Sequence, residues 1–255
     1  MFPDLQLSPL VNWLNANQGV LGLVIFFATV LFGWASGIFS ALRRKPKFRI
    51  RTIEGPTFAC TYGTGAKHGE YDVHRTGIAL YLHIANVGSA PASIEEIAIG
   101  YHWAIKPFGR LWWQFRIGWF WLTNQAVALQ DFQAEIGENI KFYPFLVQKS
   151  ALSGYSAETY LEVGRSTNGV VYFEQADSYG ACFPVAVNRK ARIKIRITDS
   201  FGRRHTSKVT IPRFSLEEAK RYNPSFGLTF VRIHGETEPI DLPVDTHGNL
   251  IPPTG

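Results

Sequence analysis

Four side chains in the segment HGEYDVH are of the types that ligate a divalent metal: His68, Glu70, Asp72 and His74. Imidazole nitrogens and carboxylate oxygens are common protein donors to such ions. The four stand at alternate positions, so an extended strand would set them all on one face. Such a row runs some 20 Å at about 3.3 Å per residue, too long for four donors to converge on one ion. The flanking TYGTGAKHGE is turn-rich, and the segment reads as a solvated hairpin loop without a metal.

A second group could hold an anion. Arg192, Lys194 and Arg196 alternate with Ile193, Ile195 and Ile197, and Arg203, Arg204 and Lys208 follow across a turn. A hairpin would gather these cations on one side, where a nucleotide, a nucleic-acid backbone or an acidic lipid could bind. The same pattern is also how the solvent face of an antiparallel sheet protects itself from edge pairing. Arg192, Lys194, Arg196, Arg203 and Arg204 are therefore the candidate anionic-ligand face, with plain solvation as the alternative.

Recognisable catalytic motifs are absent from the chain. There is no GxSxG, no GxxxxGK[ST], no GxGxxG, no HExxH and no CxxC. No catalytic residue, metal or cofactor is expected, and a binding role is. Cys60 and Cys182 could pair only in an oxidising compartment; otherwise they are two separate thiols.

The stretch Phe108–Leu122, FGRLWWQFRIGWFWL, holds four of the seven tryptophans, with Arg110 and Arg116 its only charges. It is too short for a second membrane span, and two arginines at mid-bilayer would be costly. As an interfacial segment it places Trp112, Trp113, Trp119 and Trp121 at headgroup level. As a pair of strands it would set Leu111, Trp113, Phe115, Ile117 and Trp119 against Trp112, Gln114, Arg116 and Gly118. Interface, core and oligomer contact all remain open at this point.

The elements that must position these groups start with a membrane helix. From Leu5 to Leu42 no residue is charged, and Gly19–Leu42 would span roughly 36 Å as a helix, enough to cross an ~30 Å hydrocarbon core. No Lys or Arg precedes this run, so it does not read as a cleaved signal peptide. Residues 1–18 are expected to lie at the outer interface. Residues 43–51 form a basic collar in which Arg43, Arg44, Lys45 and Lys47 would face lipid headgroups. Basic residues favour the cytoplasmic side, which predicts a single-pass inner-membrane protein of bacterial type, N-terminus outside and C-terminal domain in the cytoplasm. Gly33, Gly37 and Ala41 follow a small-xxx-small spacing that suits helix self-association.

The net charge of +6 adds little to this. Arg43, Arg44, Lys45, Lys47, Arg49 and Arg51 are six of the 26 basic residues, and the remaining 20 balance the 20 carboxylates. No nucleic-acid partner is expected.

After Pro46 the pattern turns to period two. Gly77–Val87 alternates Ile78, Leu80, Leu82 and Ile84 with Ala79, Tyr81, His83 and Ala85, the signature of a strand. Further strands are expected at 47–53, 57–62, 93–104, 139–146, 157–163 and 170–175. A final hairpin, 191–198 with 204–211, turns through DSFGR. Ser215, with Glu217 and Glu218 behind it, starts a short helix, and residues 215–235 form that helix and an extension. Residues 236–255 hold only acidic charges among several prolines and are expected to be disordered.

The segment NVGSAPASIEEI, Asn86–Ile97, resembles a strand–turn–strand of bacterial immunoglobulin-like sandwiches. The resemblance implies an Ig-like antiparallel β-sandwich over residues 47–214, with 108–122 as a Trp-rich insertion. It implies no activity. The function expected is a membrane-tethered interaction or sensor module, a homo-oligomer in contact with lipid. The alternative is a membrane-disrupting effector that senses a small anionic ligand, such as a nucleotide, and clusters its helices.

Overall fold

The computed structural model describes residues 8–37, 44–105, 107–146, 156–244 and 250–251. The chain divides into two compact units, residues 1–45 and residues 46–255.

The first unit contains α1 (Ser8–Ala16) and α2 (Gln18–Ala35), separated at Asn17. Helix α2 buries none of its side chains within the unit and is long and apolar enough to cross a membrane. Its 18 residues span about 27 Å, less than the 24-residue run predicts. Glycine is the reason. Gly37 has φ of +76°, and its N–H bonds back to the Trp34 carbonyl, a left-handed closing turn that glycine adopts without penalty. Gly37 thus terminates the helix and does not extend the face that carries Gly33. Of the small residues expected to share a face, Gly33 lies within α2, Gly37 in its closing turn, and Ala41 outside the described residues.

The second unit is mainly β. Its strands are β1 (Phe48–Thr52), β2 (Phe58–His68), β3 (Tyr71–Asn86), β4 (Ala92–Tyr101), β5 (Phe120–Leu122), β6 (Phe132–Ile136), β7 (Asn139–Tyr143) and β8 (Phe145–Leu146). They continue as β9 (Ser156–Ala157), β10 (Tyr160–Leu161), β11 (Ser166–Glu174), β12 (Ser178–Tyr179), β13 (Ala186–Val187), β14 (Lys190–Asp199), β15 (Arg204–Phe214) and β16 (Ile240–Asp241). All but β6 and β7, which pair with each other, belong to one large sheet with central order β10-β4-β14-β15-β2-β3-β11-β8-β9. The sheet is mixed: β15–β2, β11–β8 and β8–β9 run parallel.

Alternation along β3 explains the two cores. Ile78, Leu80, Leu82 and Ile84 meet Ile97 and Ile99 of β4 and Ile193, Ile195 and Ile197 of β14 in one buried cluster. Ala79 points the other way, into a cluster with Phe58, Cys60 and Tyr62 of β2, Phe132, Tyr172 and Phe226. The central strands are thus covered on both faces, and the second cover comes from the β6–β7 hairpin, the short helix α3 (Leu216–Lys220) and Phe226; a further short helix, α4 (Thr229–His234), follows. The start of α3 is a full capping box: the Ser215 hydroxyl accepts from Glu218 N–H, and the Glu218 carboxylate accepts from Ser215 N–H.

Of the C-terminal segment expected to be disordered, the described residues are 236–244 and 250–251. Residues Ile240–Asp241 pair with Tyr62 and Gly63 of β2, Asp241 accepts the Leu216 N–H, and Leu250 is buried. The acidic composition of this segment is used against specific donors on the domain.

Candidate functional site

The cationic residues of the final hairpin fall on one face, as their spacing predicts. The β14–β15 register sets Arg192 beside Thr210, Lys194 beside Lys208, Arg196 beside Thr206 and Thr198 beside Arg204. Isoleucines 193, 195 and 197 between them are fully buried, so the cations point away from the core. Arg203 stands in the turn, where its backbone N–H donates to Asp199.

The other half of this face is aromatic. On the far side of β14, Lys194 pairs with Gly100 of β4, and Gly100 pairs with Trp121 of β5. A side chain at Gly100 would meet the Trp121 ring at 3.2 Å, so the indole lies flat on the bare backbone there. From that position Trp121 covers the Arg196 guanidinium at 4.3 Å from its ring centre. The Lys194 ammonium lies 5.5 Å from the Trp119 ring and 5.7 Å from the Trp121 ring. These are cation–π distances. Trp119 also packs on His102 at 4.0 Å between ring centres. Burial is the main cause that holds the His102 imidazole below its ordinary value, and Arg116, Arg192 and Lys208 push it the same way.

Counter-charge on the face is sparse: Glu96 of β4 stands across from Thr198 and accepts from its hydroxyl at 3.3 Å. Among the described residues, Arg192, Lys194, Arg196, Arg203, Arg204 and Lys208 form none of the ion pairs, and the Nε of Arg196 and one terminal nitrogen of Arg203 are buried without a hydrogen-bond partner. The face is open. None of the three clefts described, of roughly 400–510 Å³, is lined by these residues.

The Trp-rich stretch divides between two environments. A π-helix, Trp112–Ile117, occupies its centre in place of the alternating strand, and only Phe120–Leu122 is extended. The Trp103 N–H donates to the Phe115 carbonyl, and the Trp103 ring lies between Phe115 (4.3 Å) and Phe120 (4.6 Å). Gly118 ends the π-helix where a side chain would collide with the Gln114 carbonyl at 2.1 Å. Phe108, Leu111, Trp113 and Ile117 remain exposed, while Trp112, Trp119 and Trp121 are half-buried.

The HGEYDVH quartet does not assemble. The chain turns at Gly69, whose φ is +63°, between β2 and β3. His68 stacks on Tyr179, Asp72 lies 3.9 Å from Lys67, and His74 is buried with its Nε2 at 3.2 Å from the Gly180 carbonyl. No group of three possible metal ligands exists among the described residues. Cys60 and Cys182 are free thiols; burial raises the pKa of both, Cys60 most. In the basic collar Arg44, Lys45 and Lys47 are exposed, and Arg43 lies outside the described residues.

Two polar arrangements link residues too far apart in sequence to be foreseen. Arg75, buried on β3, donates from Nε to Asp177 (2.6 Å) and from both terminal nitrogens to Glu236 (2.7 and 3.1 Å). Its guanidinium lies 3.9 Å from the centre of the Phe230 ring, so one side chain holds α4 and the segment beyond it. Beside it, Glu174 accepts hydrogen bonds from the Tyr62 and Tyr172 hydroxyls, and burial raises its pKa. A buried carboxyl of this kind is a usual mark of catalysis. Glu174 and Arg75 together form a clamp of buried polar groups that joins β2, β3, β11 and the segment after α4.

The second arrangement is on the hairpin. Asp199, fully buried, accepts the Phe201 and Arg203 N–H groups and meets His205 Nε2 at 2.8 Å. Nδ1 of the same ring accepts the Phe48 N–H, tying β1 to the turn. Burial alone would raise the Asp199 carboxyl; its hydrogen bonds outweigh that and hold it below its ordinary range.

No protein-family model matches the sequence, and no curated protein matches it. Among solved structures, a Bordetella pertussis protein to which the name ApaA has been given is similar over 67% of this chain and 96% of its own. Its identity is 7% and its TM-score 0.25, a value too low to carry an argument about fold or function.

Proposed function

We propose that this protein is a membrane-anchored interaction module whose β domain binds an anionic partner through the face of Trp119, Trp121, Arg192, Lys194, Arg196, Arg204 and Lys208. The observation that carries this reading is an array of cations with no carboxylate paired to any of them among the described residues, flanked by indoles that stack on two of them. Five cations with the single carboxylate of Glu96 at one end of the face leave an excess of positive charge, and an anionic partner offsets that repulsion.

Anchoring by α2, a cytoplasmic location for the domain and self-association belong to the same proposal. The immunoglobulin-like sandwich does too. It is supported by the single cluster in which inward residues of β3 face those of β4 and β14, while the parallel pairings and the second core are additions to it. The sensor of a small anionic ligand is the alternative reading, and it requires these cations to line a concave site.

The test uses the full chain in nanodiscs of phosphatidylcholine alone, with fluorescent poly-glutamate as the anionic probe. Binding that falls about tenfold in the Arg192→Glu/Lys208→Glu variant, a loss of about 1.4 kcal/mol, supports the reading. Equal binding by the variant, or none by the native chain, contradicts it.

A further inference from the structure

We infer that the anionic partner is the headgroup layer of a bilayer, and that Phe108, Leu111, Trp113 and Ile117 form a second membrane contact beside the cationic face. The inference rests on the functional reading above and names its partner.

Exposure comes first. Phe108 is 84% exposed, Trp113 61%, Leu111 52% and Ile117 51%, four large apolar side chains within ten positions of one another. Isolated exposed apolar residues are ordinary, but a group of them calls for a partner surface. The backbone is shaped to hold them outward. Phe108 sits at φ +69°, a region that bulky residues rarely adopt, and the π-helix that follows depends on Gly118 for its closure. Such local cost persists where surrounding structure, and usually function, requires it.

Charge then selects the partner. Between Glu96 and Asp131 the sequence carries no carboxylate, whereas Arg110 and Arg116 stand among the apolar residues of this stretch. Arg116 is close enough to act on His102, so this segment and the cationic sheet face share one electrostatic field. Trp and Phe with Arg, and no acid, is the composition that favours the boundary between headgroups and acyl chains. An acidic protein partner would suit the cations but gives no role to Phe108 and Leu111. By chain length alone, residues 36–47 reach roughly 40 Å at most from the end of α2, so an anchored domain meets lipid at high effective concentration.

The test places an environment-sensitive dye on Ile117→Cys, and separately on Leu111→Cys, in the full chain carrying Cys182→Ser; Cys60 is fully buried. Nanodiscs with and without phosphatidylglycerol are compared. The inference predicts a several-fold gain and a blue shift in emission at both positions when phosphatidylglycerol is present, reversed by high salt. The same dye on Ile136→Cys, at the exposed end of β6, is predicted to stay water-like. Water-like emission at positions 111 and 117 in anionic nanodiscs overturns the inference, as does an equal response at position 136. If poly-glutamate still binds in that case, the partner is an acidic protein and only the lipid assignment falls. If poly-glutamate binding is absent too, both fall.

Discussion

Replacing Arg75 with leucine tests whether the C-terminal segment is an integral part of the domain. The native side chain is 6% exposed, whereas its partners Asp177 and Glu236 are 57% and 33% exposed. Breaking a fully buried ion pair by removing one partner costs about 3–5 kcal/mol, because the other charge is stranded. Here both carboxylates can regain water, which moves the cost to the lower end of that range. The guanidinium–Phe230 contact adds about 1–2 kcal/mol for a desolvated cation–π pair, while leucine restores about as much through burial. The expected loss is therefore about 2–3 kcal/mol. For a domain of this size, that lowers Tm by about 4–12 °C. Thermal unfolding of the full chain in mild detergent, followed by tryptophan fluorescence, gives the shift. Tryptic cleavage at Arg232, in the helix that Arg75 covers, should quicken in parallel. A Tm change below about 2 °C, with unchanged cleavage, would show that water replaces these bonds at no cost and that the clamp contributes nothing.

Other expectations follow from the same structure. Replacing Phe108 by glycine relieves a positive φ at an exposed site, so it should raise stability by about 1 kcal/mol in urea denaturation while weakening the bilayer contact. The Glu236 carboxyl is held below its ordinary value of 4.5 by hydrogen bonds from Arg75, so its contribution is complete above that value and is lost as pH falls through the lower, folded one. Urea midpoints of native and Glu236→Gln protein should converge in acid. Glu174 has the opposite sign: burial raises it, so its contribution is complete below its ordinary 4.5 and is lost as pH rises through the folded value. Glu174→Gln should accordingly gain stability over the native protein as pH rises toward neutrality. Alkylation of the native protein should modify Cys182 slowly and Cys60 only on unfolding, because burial is complete for Cys60 and partial for Cys182. Equal rates at the two thiols would contradict the packing of the second core.

How much of this could be read from sequence depends on the range of the interaction that decides it. The strand β3, the β14–β15 hairpin and the capping box at Ser215 are set by neighbours one to four positions apart, and their residues announce them. The cationic face follows directly from alternation. Its aromatic half does not, because Trp121 reaches Arg196 only through the registers of β5 with β4 and β4 with β14. The Arg75–Glu236 pair spans 161 positions and leaves no local trace. At the C-terminus composition gives no hint that Glu236 meets the buried Arg75. Spacing does not reveal that Gly37 takes a left-handed conformation in the closing turn of α2. The π-helix hid because alternating apolar residues in Phe108–Leu122 fit a strand as well as they fit a wide, i→i+5 helical turn.

The account as a whole turns on whether an anionic membrane surface covers the Trp–Arg face. Hydrogen–deuterium exchange on the full chain answers this directly, comparing nanodiscs with and without phosphatidylglycerol. Protection is predicted to appear with phosphatidylglycerol in peptides covering residues 108–122 and 190–208, with the β6–β7 hairpin unchanged. Identical exchange of both segments in the two lipids would contradict it.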